Sequence, residues 1–456
     1  MAHYGPAELA HIPGPRPDPL LGHTLKIMRD CYGFTLAARE AHGDIYKTKL
    51  IGQWRVLLHG ADALEFVLID RDRNFSNQEG WLPLRNLFDG GLLMRDFDEH
   101  RRHRRIMQAA FRSKAMEEYV ARMNAELPRL LAEWPVGKRF AFYPAVKELT
   151  LRLGASVFMG MDPDDPRVPA LNKAFVDEIA ATYGLVRKPV PLTKMWHGIR
   201  GRRYLIQTFK ELIAERRDGG GEDFFSQMCR ATDDDGDRWT EEEIVDHFNF
   251  LLMAAHDTTA SGLATMAWAL TTWPDWQERI IAEVDALPEG PLDDAALNAM
   301  PVTERAFKEA LRLVPPVPFI PRRTVRDVEW QGVTLPKGTH VSVCPGIVQL
   351  QPDLWTDPDS FDPDRFSPNR AEDRRHKFAW SPFGGGAHKC LGMHFAMVQV
   401  KLFTAHLLRH RRMQSATDAP ATWQMVPIPW PKGGLPIVLE PRRETAAAPA
   451  KEDAVA

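Results

Sequence analysis

Only four of the 456 residues are cysteine (Cys31, Cys229, Cys344 and Cys390), and no two of them form a CxxC pair. That excludes a disulfide scaffold and a thiolate zinc cluster, and it suits a reducing cytoplasm. An excess of one charge sign is also missing: 58 Lys and Arg oppose 61 Asp and Glu, for a formal net charge of −3. A nucleic-acid binder is not expected from that balance. The sequence has no fixed-period repeat. Its start, Met1-Ala2-His3-Tyr4-Gly5-Pro6, carries neither a charged-then-apolar leader nor a membrane-spanning apolar run. No secretory signal or membrane anchor is therefore expected. No internal linker divides the chain, so one domain is expected over residues 1–443 behind a stiff lead-in with Pro13, Pro15, Pro17 and Pro19. The alanine- and charge-rich stretch Glu444 to Ala456 reads as a disordered tail.

What remains is ordinary globular material, 44% hydrophobic and 26% charged. Ile45 to Leu50 and Trp54 to Leu58 flank Ile51-Gly52 and read as a hairpin. A small sheet beside a mainly helical body is expected, rejoined by strands around Val328 to Leu335 and His340 to Val343. The stretch 76–95 is irregular yet rich in Leu and Phe. Helical segments follow from Met116 to about Arg217, broken by the proline-containing connection 185–192. The acidic run Asp233 to Asp237 lacks calcium-loop spacing and reads as a solvated loop. Thr240 and Glu243 have capping-box spacing and open a helix that reaches about Trp273. That helix is apolar on more than one face and therefore buried. Inside it lies Ala254-Ala255-His256-Asp257-Thr258-Thr259, and a buried acid with two hydroxyls is costly unless paired or functional.

The central stretch is Phe383-Gly384-Gly385-Gly386-Ala387-His388-Lys389-Cys390-Leu391-Gly392, followed by an apolar helical run from Met393 to Leu408. Glycines allow the backbone to come close to a metal. Backbone N–H groups, a helix start near Leu391 and Lys389 favour a thiolate at Cys390. The ordered spacing of Phe383, Gly386, His388, Cys390 and Gly392 resembles the haem-binding loop of the cytochrome P450 family. Further upstream, Glu309-Ala310-Leu311-Arg312 resembles that family's ExxR signature. Phe361-Asp362-Pro363-Asp364-Arg365-Phe366 resembles the motif that completes a structural triad of Glu309, Arg312 and Arg365. The Ala254 to Thr258 stretch resembles the oxygen-activation motif, with Ala255 where the family usually has Gly.

The resemblance implies a triangular, mainly α fold with a minor β region and a haem b between the long buried helix and the Cys-loop helix. It implies Cys390 as the axial thiolate and metal ligand, and Asp257 and Thr258 as the proton-delivering pair. His100, Arg104 and Arg322 would hold the haem propionates, with Arg323 competing for the last role. Leu84, Leu87, Phe88, Leu92, Leu251, Ala254, Ala255, Val317, Phe319, Ile320 and Ile428 would line an apolar pocket. The Ala255 methyl is expected to narrow the space above the haem, and His256 is read as structural. The implied activity is monooxygenation of a lipophilic molecule: a steroid, terpenoid, retinoid-like or fatty-acyl compound. A peroxide-using haem-thiolate enzyme and a non-catalytic haem-binding or gas-sensing protein are the alternatives, and the acid–Thr pair speaks against both. A soluble bacterial-type monomer is implied, fed by a separate ferredoxin or flavodoxin with its reductase. Arg101, Arg102, Arg105, Lys389 and Arg409 to Arg412 are the expected docking patch.

Overall fold

The structure, a computed structural model, describes residues 5–442 apart from 110, 112, 183, 185, 218, 220, 233–235 and 237. The tail from Glu444 and most of the acidic run at Asp233 to Asp237 lie outside the described residues. Strands β1 (Ile45–Leu50) and β2 (Gln53–Leu58) pair antiparallel, with Leu50 opposite Gln53. The turn between them is Ile51-Gly52, at φ 49° and 78°. Two positive φ values give a hairpin turn whose twist matches the strands; Gly52 adopts its φ freely, whereas the β-branched Ile51 is strained.

Three more strands complete a five-stranded sheet: β3 (Phe75–Ser76), β4 (Ile320–Thr324) and β5 (His340–Val343), in the order β1-β2-β5-β4-β3. The stretch 328–335 does not join it, contrary to expectation. Val328–Trp330 and Val333–Leu335 close on each other across Gln331-Gly332, whose φ values are 48° and 76°. Along β4 burial alternates, so Ile320, Arg322 and Thr324 point inward while Pro321 and Arg323 are half-exposed.

Helix α1 (Ala61–Ile69) lies under this sheet, and α2 (Phe97–Ala109) follows the irregular stretch. The stretch itself folds into short helical turns at Leu82–Leu84, Arg85–Phe88 and Leu92–Met94. The main body is built from α3 (Phe142–Met159), α4 (Val168–Thr182), α5 (Lys194–Arg216), α6 (Glu241–Thr272), α7 (Pro301–Leu313) and α8 (Met393–Leu408). Helix α6 begins at a complete capping box: Thr240 N donates to Glu243 Oε2 (2.9 Å), and Glu243 N donates to Thr240 Oγ1 (3.2 Å). Helices α4 and α5 lie close together because Gly201 has no side chain; a Cβ there would sit 2.3 Å from the Ala174 carbonyl oxygen.

Apolar side chains gather in three clusters. The largest joins α2 to α8 and includes Leu87, Phe88, Phe158, Phe209, Phe248 and Phe395. The second lies between the sheet and α1, around Val56, Leu64, Phe75, Ile320 and Phe378. A small third cluster holds Tyr46, Leu57 and Cys344. Gly386–Leu408 is long and apolar enough to cross a membrane, but 61% of its apolar window is buried within the fold, as in a core helix.

Candidate active site

The cysteine loop owes its shape to its neighbours. Gly384 and Gly386 stand at φ 69° and 63°, and Cys390 N donates to the Phe383 carbonyl (3.0 Å). A Cβ on Gly386 would fall 1.9 Å from the carbonyl oxygen of Leu68 in α1. The glycine is thus required by a close approach to α1. Helix α8 starts at Met393, with Gly392 as its N-terminal flank, so Cys390 precedes it by a short turn. The thiol is exposed, yet surrounding protein desolvates it and raises its pKa. That combination marks a side chain lining an interior space rather than the outer surface. The Gly392 N–H, Arg104 and Lys389 pull the other way, towards the thiolate.

A basic cluster gathers around this loop. His100 and Arg104 share one face of α2, and the His100 ring lies 3.8 Å from that of His388, centroid to centroid. Burial and the neighbouring guanidinium of Arg104 hold His100 down to about 4, and His388, in the same surroundings, to about 2. Both rings are therefore neutral hydrogen-bonding groups at pH 7. Arg322 reaches the cluster from β4, and burial lowers it to about 10. Arg323 is committed elsewhere, to Glu79 (2.8 Å) and the Gly338 carbonyl (3.0 Å). Strand alternation thus decides between the two arginines. Among the described residues neither Arg104 nor Arg322 forms an ion pair. The carboxylates nearest Arg322, Asp70 and Asp96, spend their oxygens on the turn amides of Asn74, Phe75 and Asn77. Two desolvated guanidiniums without anions suit an incoming molecule that carries carboxylates.

Below the loop, Glu309, Arg312 and Arg365 meet with no solvent exposure. Arg312 grips Glu309 with two bonds (2.7 and 2.9 Å), and Arg365 Nε adds a third to Glu309 Oε1 (2.9 Å). Sequence reasoning missed two further members. Glu372 pairs with Arg365 (3.2 Å) and balances the second positive charge. Gln349 accepts from Arg312 at its carbonyl (2.9 Å) and from Ser381 N at its side chain (3.0 Å). Ser381 begins the cysteine loop, so Gln349 ties the buried ion network to it.

On α6, Thr258 Oγ1 donates to the Ala254 carbonyl (2.6 Å). Asp257 is buried, and its Oδ1 lies 2.9 Å from Lys147 Nζ of α3. The stripe that carries Thr258 runs back through Ala254 to Phe250. Phe250 packs against Gly91 of the irregular stretch, where a Cβ would lie 2.4 Å from its own Cβ. Phe250, half-buried on this side, was missed from the sequence and could have been found from helix phase. Leu251, seven residues before Thr258, shares this face, and Ala255 lies to one side of it. Leu251 belongs to the main apolar cluster, and Ala255 lines a cleft with Thr150, Leu153, Phe175 and Leu205. Ala255 thus lies at a cleft between α3, α4, α5 and α6.

The other expected wall residues come from separate places. Leu87, Phe88 and Leu92 are buried in the main cluster, and Leu84 is half-buried on its helical turn. Val317 and Ile320 belong with the sheet cluster, and Phe319 packs edge-on to Tyr32. Ile428 is half-buried in a segment held to α6 by Ser261 Oγ, which donates to the Pro429 carbonyl (2.7 Å). Part of the expected basic docking patch is otherwise engaged. Arg101 pairs with Asp98 (2.9 Å), Arg409 donates to the Pro288 carbonyl (2.9 Å), Arg411 to the Leu131 carbonyl, and Arg412 pairs with Glu278 (2.7 Å).

Among the described residues no group of three or more His, Cys, Asp and Glu side chains could hold a metal ion. A metal at Cys390 would have to arrive with most of its ligands, as in a porphyrin, and the basic cluster suits a porphyrin's carboxylates. The class these features fit is the haem-thiolate proteins. The family model for Cytochrome P450 matches residues 12–427. A "Putative cytochrome P450 136" of Mycobacterium tuberculosis is 40% identical over 437 residues, covering 93% of this chain and 87% of the relative. A "Pentalenene oxygenase" of Streptomyces avermitilis is 29% identical over 412 residues, covering 88% of this chain and 91% of that protein. The solved structure described as "Retinoic acid bound cyanobacterial CYP120A1" superposes with a TM-score of 0.86 at 29% identity, covering 94% of this chain and all of that one. The chain belongs to the cytochrome P450 family and is a monooxygenase. The family implies haem held by a cysteine thiolate.

Proposed function

We propose that the chain is a single haem domain that inserts one oxygen atom from O2 into an apolar isoprenoid substrate, of terpenoid or retinoid-like kind. Cys390 would hold haem b through its thiolate, in the loop shaped by Phe383, Gly386, His388 and Gly392. Arg104, Arg322 and neutral His100 hold the propionates. When bound, the haem supplies the activation of dioxygen and its transfer to a C–H bond. The protein's own residues do the rest. Asp257 and the Thr258 hydroxyl deliver protons on the open side of α6. Phe250, Leu251 and Ala254, with Leu87, Phe88, Val317 and Ile320, exclude water and orient the substrate. Electrons come from a separate ferredoxin or flavodoxin with its reductase, docking on the face that carries Lys389. The isoprenoid preference is supported by the retinoic acid bound to the structural neighbour and the pentalenene for which a relative is named.

The observation that carries this reading is a lone loop cysteine beside two guanidiniums that have no carboxylate of their own. The test is the absorption spectrum of the reduced protein under carbon monoxide. A strongly red-shifted Soret band, lost in Cys390→Ala, is expected. A band typical of histidine or protonated-thiol ligation, or a protein that takes up no haem, would overturn the reading. Titrating the ferric protein with retinoids, terpenes, steroids and fatty acids then tests the substrate class. A low-to-high-spin shift confined to steroids or fatty acids would refute the isoprenoid assignment.

A further inference from the structure

On the face of the five-stranded sheet turned away from α1, one row of polar side chains is short of partners. Thr48 of β1 stands opposite Arg55 of β2, Arg55 beside His340 of β5, and His340 opposite Arg323 of β4. Cross-strand neighbours share a face, with Cβ atoms about 5 Å apart, so these side chains lie side by side. Val56, Val341 and Arg322 form the matching row on the other face, towards α1. The sheet thus separates Arg55 from the guanidiniums of the cysteine side.

Within the row, Arg323 is provided for by Glu79 (2.8 Å) and the Gly338 carbonyl (3.0 Å). Arg55 is not. Among the described residues no carboxylate pairs with it, its Nε is closed off without a partner, and burial lowers it to about 10. The residue as a whole is half-buried, so its fork can be reached from outside. Thr48, 1% exposed, has an unpartnered Oγ1 beside it. Burial and the guanidiniums of Arg323 and Arg55 hold His340 down to about 4, so it is neutral and offers one N–H. A guanidinium, a hydroxyl and an imidazole N–H, with no acid of their own, suit a carboxylate.

Next to this row the same face turns apolar. Leu57, two residues on from Arg55, belongs to the cluster with Tyr46 and Cys344, flanked by half-buried Tyr32 and Phe319. Phe319 is an expected pocket residue, and it shares its face with Arg323 four residues on, about 13 Å away along the chain. That reach suits a long molecule with an acid at one end.

We propose that Arg55, with Thr48 and His340 at its sides, seats the carboxylate of an isoprenoid acid substrate whose chain extends past Phe319 towards the cysteine side. This narrows the substrate class of the proposed function and rests on its isoprenoid reading.

The test uses the haem-loaded protein and three probes with one chain: retinoic acid, its methyl ester and retinol. Ferric spin-shift titrations give a Kd for each with wild type, Arg55→Gln, Arg55→Lys and Thr48→Val. Arg55→Gln should raise the Kd of the acid ~10-fold and leave the ester and the alcohol within about twofold. Arg55→Lys keeps the charge without the fork and should recover part of the loss. Thr48→Val should weaken the acid by about 3-fold. Unchanged acid affinity in Arg55→Gln, or acid and ester weakened alike, would overturn the proposal. A second readout needs no isoprenoid. The Arg55 Nε–H signal, identified by its loss in Arg55→Gln, should shift saturably with acetate, and indifference to acetate would overturn the seat. If no probe shifts the spin state while that signal answers acetate, the seat stands and the isoprenoid reading beneath it fails.

Discussion

Two buried polar clusters in this molecule are put together in opposite ways. Beneath the cysteine loop, Glu309, Arg312, Arg365 and Glu372 form a network of carboxylates and guanidiniums that bond one another, closed at its edge by Arg370 on Glu372 (2.6 Å). Along α6, by contrast, buried groups are left short. Glu178 Oε1 accepts from Asn249 Nδ2 (2.9 Å), but among the described residues Glu178 Oε2 and Asn249 Oδ1 have no hydrogen-bond partner, like His256 Nε2 further along the same helix. Complete satisfaction makes a rigid support, because any rearrangement would expose an unpaired charge to a medium that cannot solvate it. Incomplete satisfaction leaves groups able to change proton or partner, which a site that moves protons needs and a support does not.

The sharpest way to break this contrast is Arg365→Met. It leaves Glu309 with Arg312 alone and Glu372 with exposed arginines such as Arg370, and should cost ~3–5 kcal/mol. Denaturant unfolding should show that loss, together with loosened haem, since Gln349 ties the network to the loop. A loss below about 1 kcal/mol would mean the network is not the support described.

Glu178 offers a smaller, pH-dependent test. Burial pushes its carboxyl up to about 8, against the pull of Asn249 and Arg202. The unfolded chain releases this proton near the ordinary carboxylate value, about 4.3, and the folded chain only near 8. The folded state therefore binds more protons in between, and its stability falls as pH rises across that window. Glu178→Gln mimics the protonated acid, so it should remove that slope and leave the variant more stable than wild type at pH 9, by a few kcal/mol at most. Thermal unfolding from pH 5 to 9 checks it, and parallel slopes in the two proteins would show that Glu178 is not held protonated.

Thr240→Ala is expected to have the smallest effect. It removes the cap of the helix that carries the second cluster, at a cost of ~1 kcal/mol. The coupling of oxygen transfer to electron use should not change. If it does, the α6 cluster depends on the helix start as well as on its local partners.

Local patterns were legible in the amino-acid order alone: the hairpin around Ile51-Gly52, the Thr240–Glu243 cap, the Cys390 loop and the three members of the ion network. Each depends on residues close in sequence or on a recognised family spacing. The helix face was less legible. Ala255 looks as suitable as Phe250 by composition, and only the packing of α6 against the irregular stretch at Gly91 separates them. Glu372 lies only seven residues from Arg365, whereas Gln349, Thr150 and Lys147 left no signal, since each reaches its partner across a long stretch of chain. The same holds for Gly386, whose reason is the Leu68 carbonyl of a distant helix.

By itself the sequence determined that this is a cytochrome P450 with one available loop cysteine, and where its caps and turns fall, because those depend on short-range covalent geometry and residue chemistry. Only the tertiary structure decided which buried charges are fully paired and which are left with a free lone pair. Burial removes the water that would otherwise satisfy every group alike, so the partners that folding brings together set the cost of each charge and the use it can serve.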